Sequence, residues 1–119
     1  MTTSTAGGEV KVTGELILPP GVVLADSAVA RVRLLDTSLA DAPAVRVDEQ
    51  VISGPRLSFA LRCAAPDPRA SYSVQAQVSV GGGGADGRVS RGDWVSTRSH
   101  PVITFGHPTQ VDVPLTLVV

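Results

Sequence analysis

Apolar residues recur at every second position through most of the chain, a period that belongs to strands with one buried and one wet face. Val10, Val12, Leu16 and Leu18 point one way, while Glu9, Lys11, Thr13 and Glu15 point the other. Gly14 interrupts this apolar row and marks a bulge or close packing. Pro19-Pro20-Gly21 stops the strand, because neither proline has an N–H for a ladder. Ala30, Val32 and Leu34 alternate with Arg31 and Arg33 in a second strand ending near Asp36, and Asp36–Pro43 is a turn region. Val45, Val47 and Val51 alternate with Arg46, Asp48 and Gln50, which predicts a third strand with the valines inside and Glu49 as the discordant member. Leu57, Phe59, Leu61 and Cys63 form a fourth apolar row. Tyr72, Val74, Ala76, Val78 and Val80 form a fifth, set against Ser71, Ser73, Gln75, Gln77 and Ser79. A glycine-rich tip follows at residues 81–87, and a strand around Asp93–Thr97 folds back on the fifth. Pro101–Thr104 is a short extended piece. Val111, Val113, Leu115 and Leu117 make the last strand, with Pro114 on its opposite face as a mark of a sheet edge or bulge.

No segment keeps a helical period over three turns, and the stretch from Leu39 to Ala44 has room for one turn at most. Strands at spacings of roughly ten residues predict an all-β fold, a two-sheet antiparallel β-sandwich of seven or eight strands. Residues 1–8 are small and polar and are assigned as a flexible N-terminal segment; residues 9–119 are assigned as a single sandwich domain. With 119 residues the chain is long enough to bury a core without a disulfide or a structural metal. The aromatic residues are only Phe59, Tyr72, Trp94 and Phe105, so valine, leucine and alanine must build that core.

The formal net charge is −1 with no basic block, which argues against nucleic acid as a partner. No run approaches the ~20 apolar residues that span a bilayer, so membrane insertion is not expected. The start lacks the basic and apolar regions of a secretory signal. A cytoplasmic location is expected if Met1 is the native start, and a periplasmic or outer-membrane-associated one if a leader was removed. Cys63 is the single cysteine, which excludes an intramolecular disulfide; on an apolar strand face it reads as a small buried hydrophobe.

Candidate chemistry is sparse. His100-Pro101 and His107-Pro108 are six residues apart with Asp93 and Asp112 as the nearest carboxylates, a spacing that matches no zinc motif. No G-x-S-x-G elbow is present, and Gly81-Gly82-Gly83-Gly84 is followed by neither the lysine nor the helix of a phosphate loop. No catalytic, cofactor or metal residue is assigned, and no cofactor is expected. Arg31 and Arg33 share one strand face, where they meet an acidic partner or pair across strands. Trp94 is first a core aromatic and, if exposed, a binding anchor.

Two segments carry a resemblance. Leu34–Ala44 and Pro101–Val113 resemble the YscW-like (YbaY-like) family of small bacterial β-sandwich domains, with supporting wording at Val12-Thr13-Gly14, Leu18-Pro19-Pro20-Gly21 and Tyr72-Ser73-Val74-Gln75-Ala76. The resemblance implies a fold similar to transthyretin- or immunoglobulin-like sandwiches and a role among pilot-type lipoprotein chaperones of type III secretion. Some such lipoproteins escort a secretin to the outer membrane by way of a lipidated N-terminal cysteine, which has no counterpart near the start of this sequence. The resemblance supplies no catalytic residue.

The expected function is therefore a non-enzymatic protein-interaction module, an assembly chaperone or accessory subunit. It would bind a protein partner through a sheet edge or face, with Trp94, Arg31, Arg33, Phe105 and His107 as candidate partner-binding residues. The first strand, with Lys11 and Glu15, and the last, with Pro114, are expected to be guarded edges. A homodimer formed through an edge is a related arrangement. The alternative is a small-molecule or glycan binding domain with a concave, polar site between Pro66–Ala70 and Phe105–Thr109.

Overall fold

The computed structural model describes residues 9–39, 42–80 and 91–119; the N-terminal segment and the glycine-rich tip read from the sequence lie outside the described residues. In chain order the strands are β1 (Val10–Ile17), β2 (Val29–Asp36), β3 (Val45–Ser53), β4 (Ser58–Cys63), β5 (Tyr72–Ser79), β6 (Trp94–Val95), β7 (His100–Val102), β8 (Val113–Pro114) and β9 (Thr116–Leu117). Among the described residues there is no helix. β6 and β7 are two pieces of one interrupted strand along β5, with Ser96 between them accepting the Ala76 N–H on its hydroxyl at 3.0 Å.

The strands form a two-sheet β-sandwich, one sheet in the order β4-β1-β8 and the other β3-β2-β5-β6-β9, with β7 also on β5. The alternating rows explain the pairing. Val12 lies opposite Leu61 across β1 and β4, and Val32 and Leu34 lie opposite Ala76 and Val74 across β2 and β5, all of them buried. These rows face one another and fill one core with branched aliphatic side chains, which suit a pleated surface.

Three features depart from the sequence reading. The first is that β1 is not an edge: β4 flanks it on one side and β8 on the other. The second is that the β1–β8 pairing is parallel, with Leu16 opposite Val113 and Ile17 opposite Pro114. The third is that β3 is turned over. Val51 lies opposite Arg31 and is half exposed, and Val45 and Val47 are exposed too, whereas Asp48, Gln50 and Ile52 lie opposite Leu34, Val32 and Ala30 on the inner side. The register of a strand is a two-way choice that moves every side chain to the other face. Here buried Ile52 and a bulge at Leu34/Leu35, which leaves Val47 without an opposite residue, decide it.

The last strand holds the sheets together. Thr13 N–H donates to Thr109 O and Val111 N–H donates to Thr13 O, both at 2.9 Å, so the chain lies parallel to β1 before β8 begins. Leu115 N–H then donates to Ile17 O at 2.9 Å, and past Leu115 the chain pairs with β6, Thr116 opposite Val95 and Leu117 opposite Trp94. Gly14 makes the close approach possible: a Cβ there would overlap the Val111 carbonyl oxygen and lie 2.8 Å from Phe59 Cζ. The gap in the first apolar row is thus filled by a neighbouring backbone.

Gly14→Ala is expected to lower folding stability by about 3 kcal/mol, the upper range for an overpacked site, because a backbone must move. Urea unfolding checks it. A loss within experimental error would show that the 109–115 backbone does not rest on Gly14.

Candidate functional site

The candidate site is built at one end of the sandwich, where β7 leaves β5. Thr104 N–H donates to Val102 O at 2.9 Å across Ile103, whose φ is +73°. This is the rare, strained form of the γ-turn, and a β-branched residue in that region is an outlier. His107 N–H donates to Thr104 O at 3.0 Å, closing a four-residue turn whose central residues Phe105 and Gly106 have φ of +57° and +81°. That is the type I′ pattern, which favours Asn or Gly at its first central position. Phe105 occupies that position with 66% of its surface exposed.

The turn is held from several sides. Ile103 N–H donates to Pro108 O at 3.0 Å, and the buried Thr104 hydroxyl donates to Ala70 O at 2.6 Å. The facing loop is fixed in turn. Asp67 N–H donates to the Tyr72 hydroxyl at 2.9 Å, and Ala70 N–H donates to Asp67 O at 3.0 Å. Pro66, Pro68, Ile103, Thr104 and Phe105 line an open cavity of about 340 Å³ between the two loops. The sequence reading expected concavity at these loops with several converging polar groups. The lining side chains are instead apolar except for Thr104, whose hydroxyl is engaged with Ala70. They offer a glycan few side-chain hydrogen-bond partners.

The five candidate residues are distributed over three places. Phe105 and His107 share the strained turn, and both are exposed. Trp94 is 9% exposed and packed in the core, so it offers no anchor to a partner. Arg31 and Arg33 lie on the outer face of the larger sheet around Glu49. Arg33 Nε donates to Glu49 Oε2 at 2.6 Å, with Arg46 Nη1 at 3.4 Å and Arg31 Nη1 at 3.8 Å from Glu49 Oε1. The hydrogen bond from Arg33 holds the Glu49 carboxyl below the usual carboxylate range against the opposing pull of burial, and the charges of the three arginines add to it. Sequence reasoning missed Ile103 and Thr104, whereas Pro66, Pro68 and Phe105 fall within the two loops it named for the alternative small-molecule site; the Phe-Gly step was the visible signal of the turn, since glycine tolerates its second position.

Cys63 and the Nε2 atom of His100 lie in the interior of the fold, apart from this turn. Cys63 is buried, and burial pushes its thiol pKa up against the opposing effect of a side-chain hydrogen bond with Tyr72. On His100, burial lowers the imidazole pKa with Arg98 adding to it, and its Nε2 is enclosed without a hydrogen-bond partner. Among the described residues no three of His, Cys, Asp and Glu come together as metal ligands.

The family model for the type III secretion system lipoprotein chaperone (YscW) matches residues 8–115. A solved structure, the alternative pilotin from the type II secretion system of Vibrio cholerae, is 27% identical, with a TM-score of 0.76 over 93% of this chain and 98% of that one. No curated protein matches this sequence.

The Glu49 cluster gives a pH signature. A depressed carboxylate adds stability above its unfolded pKa, and that stability is lost as pH falls through the folded one. Glu49→Gln should therefore be less stable than the parent at neutral pH by about 1 kcal/mol or less. The gap should close as pH drops below the ordinary carboxylate range. Urea unfolding over a pH series checks it; a gap independent of pH would contradict the assignment.

Proposed function

As the chain belongs to the YscW family, the type III secretion system lipoprotein chaperones, we propose that it is a non-enzymatic chaperone whose partner is a secretin subunit, held at the end surface centred on Phe105. The family is of a chaperone kind and not a catalytic one. The reading places the protein in the periplasm or at the outer membrane, where such lipoproteins work.

One observation carries the proposal. An aromatic side chain is displayed to solvent from a turn position that costs it backbone strain. An L-residue in the left-handed region costs roughly 1–2 kcal/mol, and strain of this kind persists where the surroundings over-determine it, commonly at functional sites. Asparagine or glycine would relieve the strain, so stability alone does not account for phenylalanine here. Beside Phe105 lie two rigid prolines and Ile103, an arrangement that loses little conformational entropy when a partner's apolar side chain enters. Aromatic anchors in pockets of this kind dominate the energetics of many interfaces. Edge pairing has less support at β1, which is flanked on both sides, and at β8, where Pro114 has no N–H to offer.

The test is Phe105→Asn against the purified secretin of the same genome, by calorimetry with thermal unfolding alongside. Affinity is expected to fall at least about tenfold, the scale of a hot-spot residue, while the unfolding temperature holds or rises because strain is released. Unchanged affinity would overturn the proposal.

A further inference from the structure

The two sheets also meet on the side opposite the crossing strand, at the edge where β4 has no strand partner. There the contact is made by side chains. Gln50 Oε1 accepts the Ala60 N–H at 2.6 Å, and Asp48 Oδ2 accepts the Arg62 N–H at 2.7 Å. The other oxygen of Asp48, Oδ1, accepts the N–H of Glu49 at 2.9 Å, so one carboxylate links the two edges. Ala60 and Arg62 are alternate residues of β4, and their N–H groups leave the strand on the side away from β1. Their acceptors come from alternate residues of β3. These side-chain oxygens stand where the carbonyls of a neighbouring strand would stand.

The arrangement is looser than a permanent wall. Asp48 and Gln50 occupy positions opposite the fully buried Leu34 and Val32, yet neither is itself buried: the Gln50 contact is part-buried and the Asp48 contact is exposed to solvent. Two consecutive antiparallel strands ordinarily close by pairing backbone to backbone. Here Gly54–Leu57 carries the chain from one sheet to the other, and the backbone donors of β4 are left to flexible side chains. Side-chain acceptors can rotate away; a laddered strand cannot. β4 also runs straight from Cys63 into the loop that carries Pro66 and Pro68, so this edge adjoins the wall of the Phe105 surface.

We propose that the β3–β4 seam is a strand-acceptor site, kept shut in the free protein by Asp48 and Gln50, for an extended segment of the protein partner. The segment supplies backbone carbonyls to the Ala60 and Arg62 N–H groups and displaces the two side chains. Such recognition takes its affinity from main-chain hydrogen bonds, and the internal acceptors set its threshold by competing for the same donors. The inference rests on the chaperone reading above and adds a second contact to it.

The test uses the isotopically labelled full chain and overlapping synthetic peptides that tile the secretin of the same genome. At least one peptide should shift and protect the amides of Ala60 and Arg62 in the parent protein. That peptide should bind the Asp48→Ala/Gln50→Ala variant about tenfold more tightly, the scale of two hydrogen bonds no longer contested. If the double variant does not fold, Gln50→Ala alone serves, with a smaller gain in the same direction. Binding that leaves those amides untouched, equal affinity for parent and variant, or no peptide bound by either protein would each overturn the proposal. Phe105→Asn separates the two ideas. Intact secretin that binds through Phe105 with a silent seam removes the strand-acceptor site alone, whereas seam protection with full secretin affinity in Phe105→Asn removes the Phe105 reading.

Discussion

The structure depends on one stretch of backbone serving two sheets. Residues 109–115 lie parallel to β1, in contact with a glycine that has no side chain to keep them away, and the chain then crosses to pair with β6. Without this crossing the three-stranded sheet would consist of β4 and β1 alone, and a two-stranded ribbon is marginal in water. With it, Val113 and Leu115 close the core from the side, and the larger sheet gains a strand beyond β6. The crossing also sets the site. The strained turn at Ile103 and Phe105 sits between β7, pinned to β5, and the segment pinned to β1, so its ends cannot relax independently. Fixing both ends of a short connection is what lets left-handed conformations persist at non-glycine residues.

Much of this was legible in the residues and some was not, for physical reasons. The rows in β1, β2, β4 and β5 were legible because one face is buried and the other wet, which leaves a period of two. β3 misled because its valines face solvent beside the arginines while its polar residues turn inward to hold another strand's amides; a pattern of apolar and polar residues says which faces differ, not which one is inside. The central place of β1 was hidden because the charges of Lys11 and Glu15 suit an exposed face of an inner strand as well as an edge. Pro114 was a fair signal, since β8 does lie at the margin of its sheet. At the site, Phe105 and His107 were named from the sequence, but the backbone signs that give Phe105 its meaning arise from tertiary constraint. Trp94, by contrast, found its place in the core.

The functional picture follows from what the molecule leaves unfinished. The core is closed on one side by a strand and on the other by two side chains, and the two closures differ in how readily they open. A chaperone that must take up and release a partner gains from surfaces that are fixed where shape is read and loose where strands are exchanged. In the two proposals made above, the Phe105 turn is of the first kind and the β3–β4 seam of the second.

The central claim is that the crossing strand makes two sheets into one cooperative body, and removing it tests that most directly. A chain ending at Thr109 lacks β8 and β9 and should be followed by circular dichroism through heating, beside the full chain. The expected result is loss of any cooperative transition in the shortened chain. A sharp transition near the temperature of the full chain, with its β-sheet spectrum retained, would contradict the account.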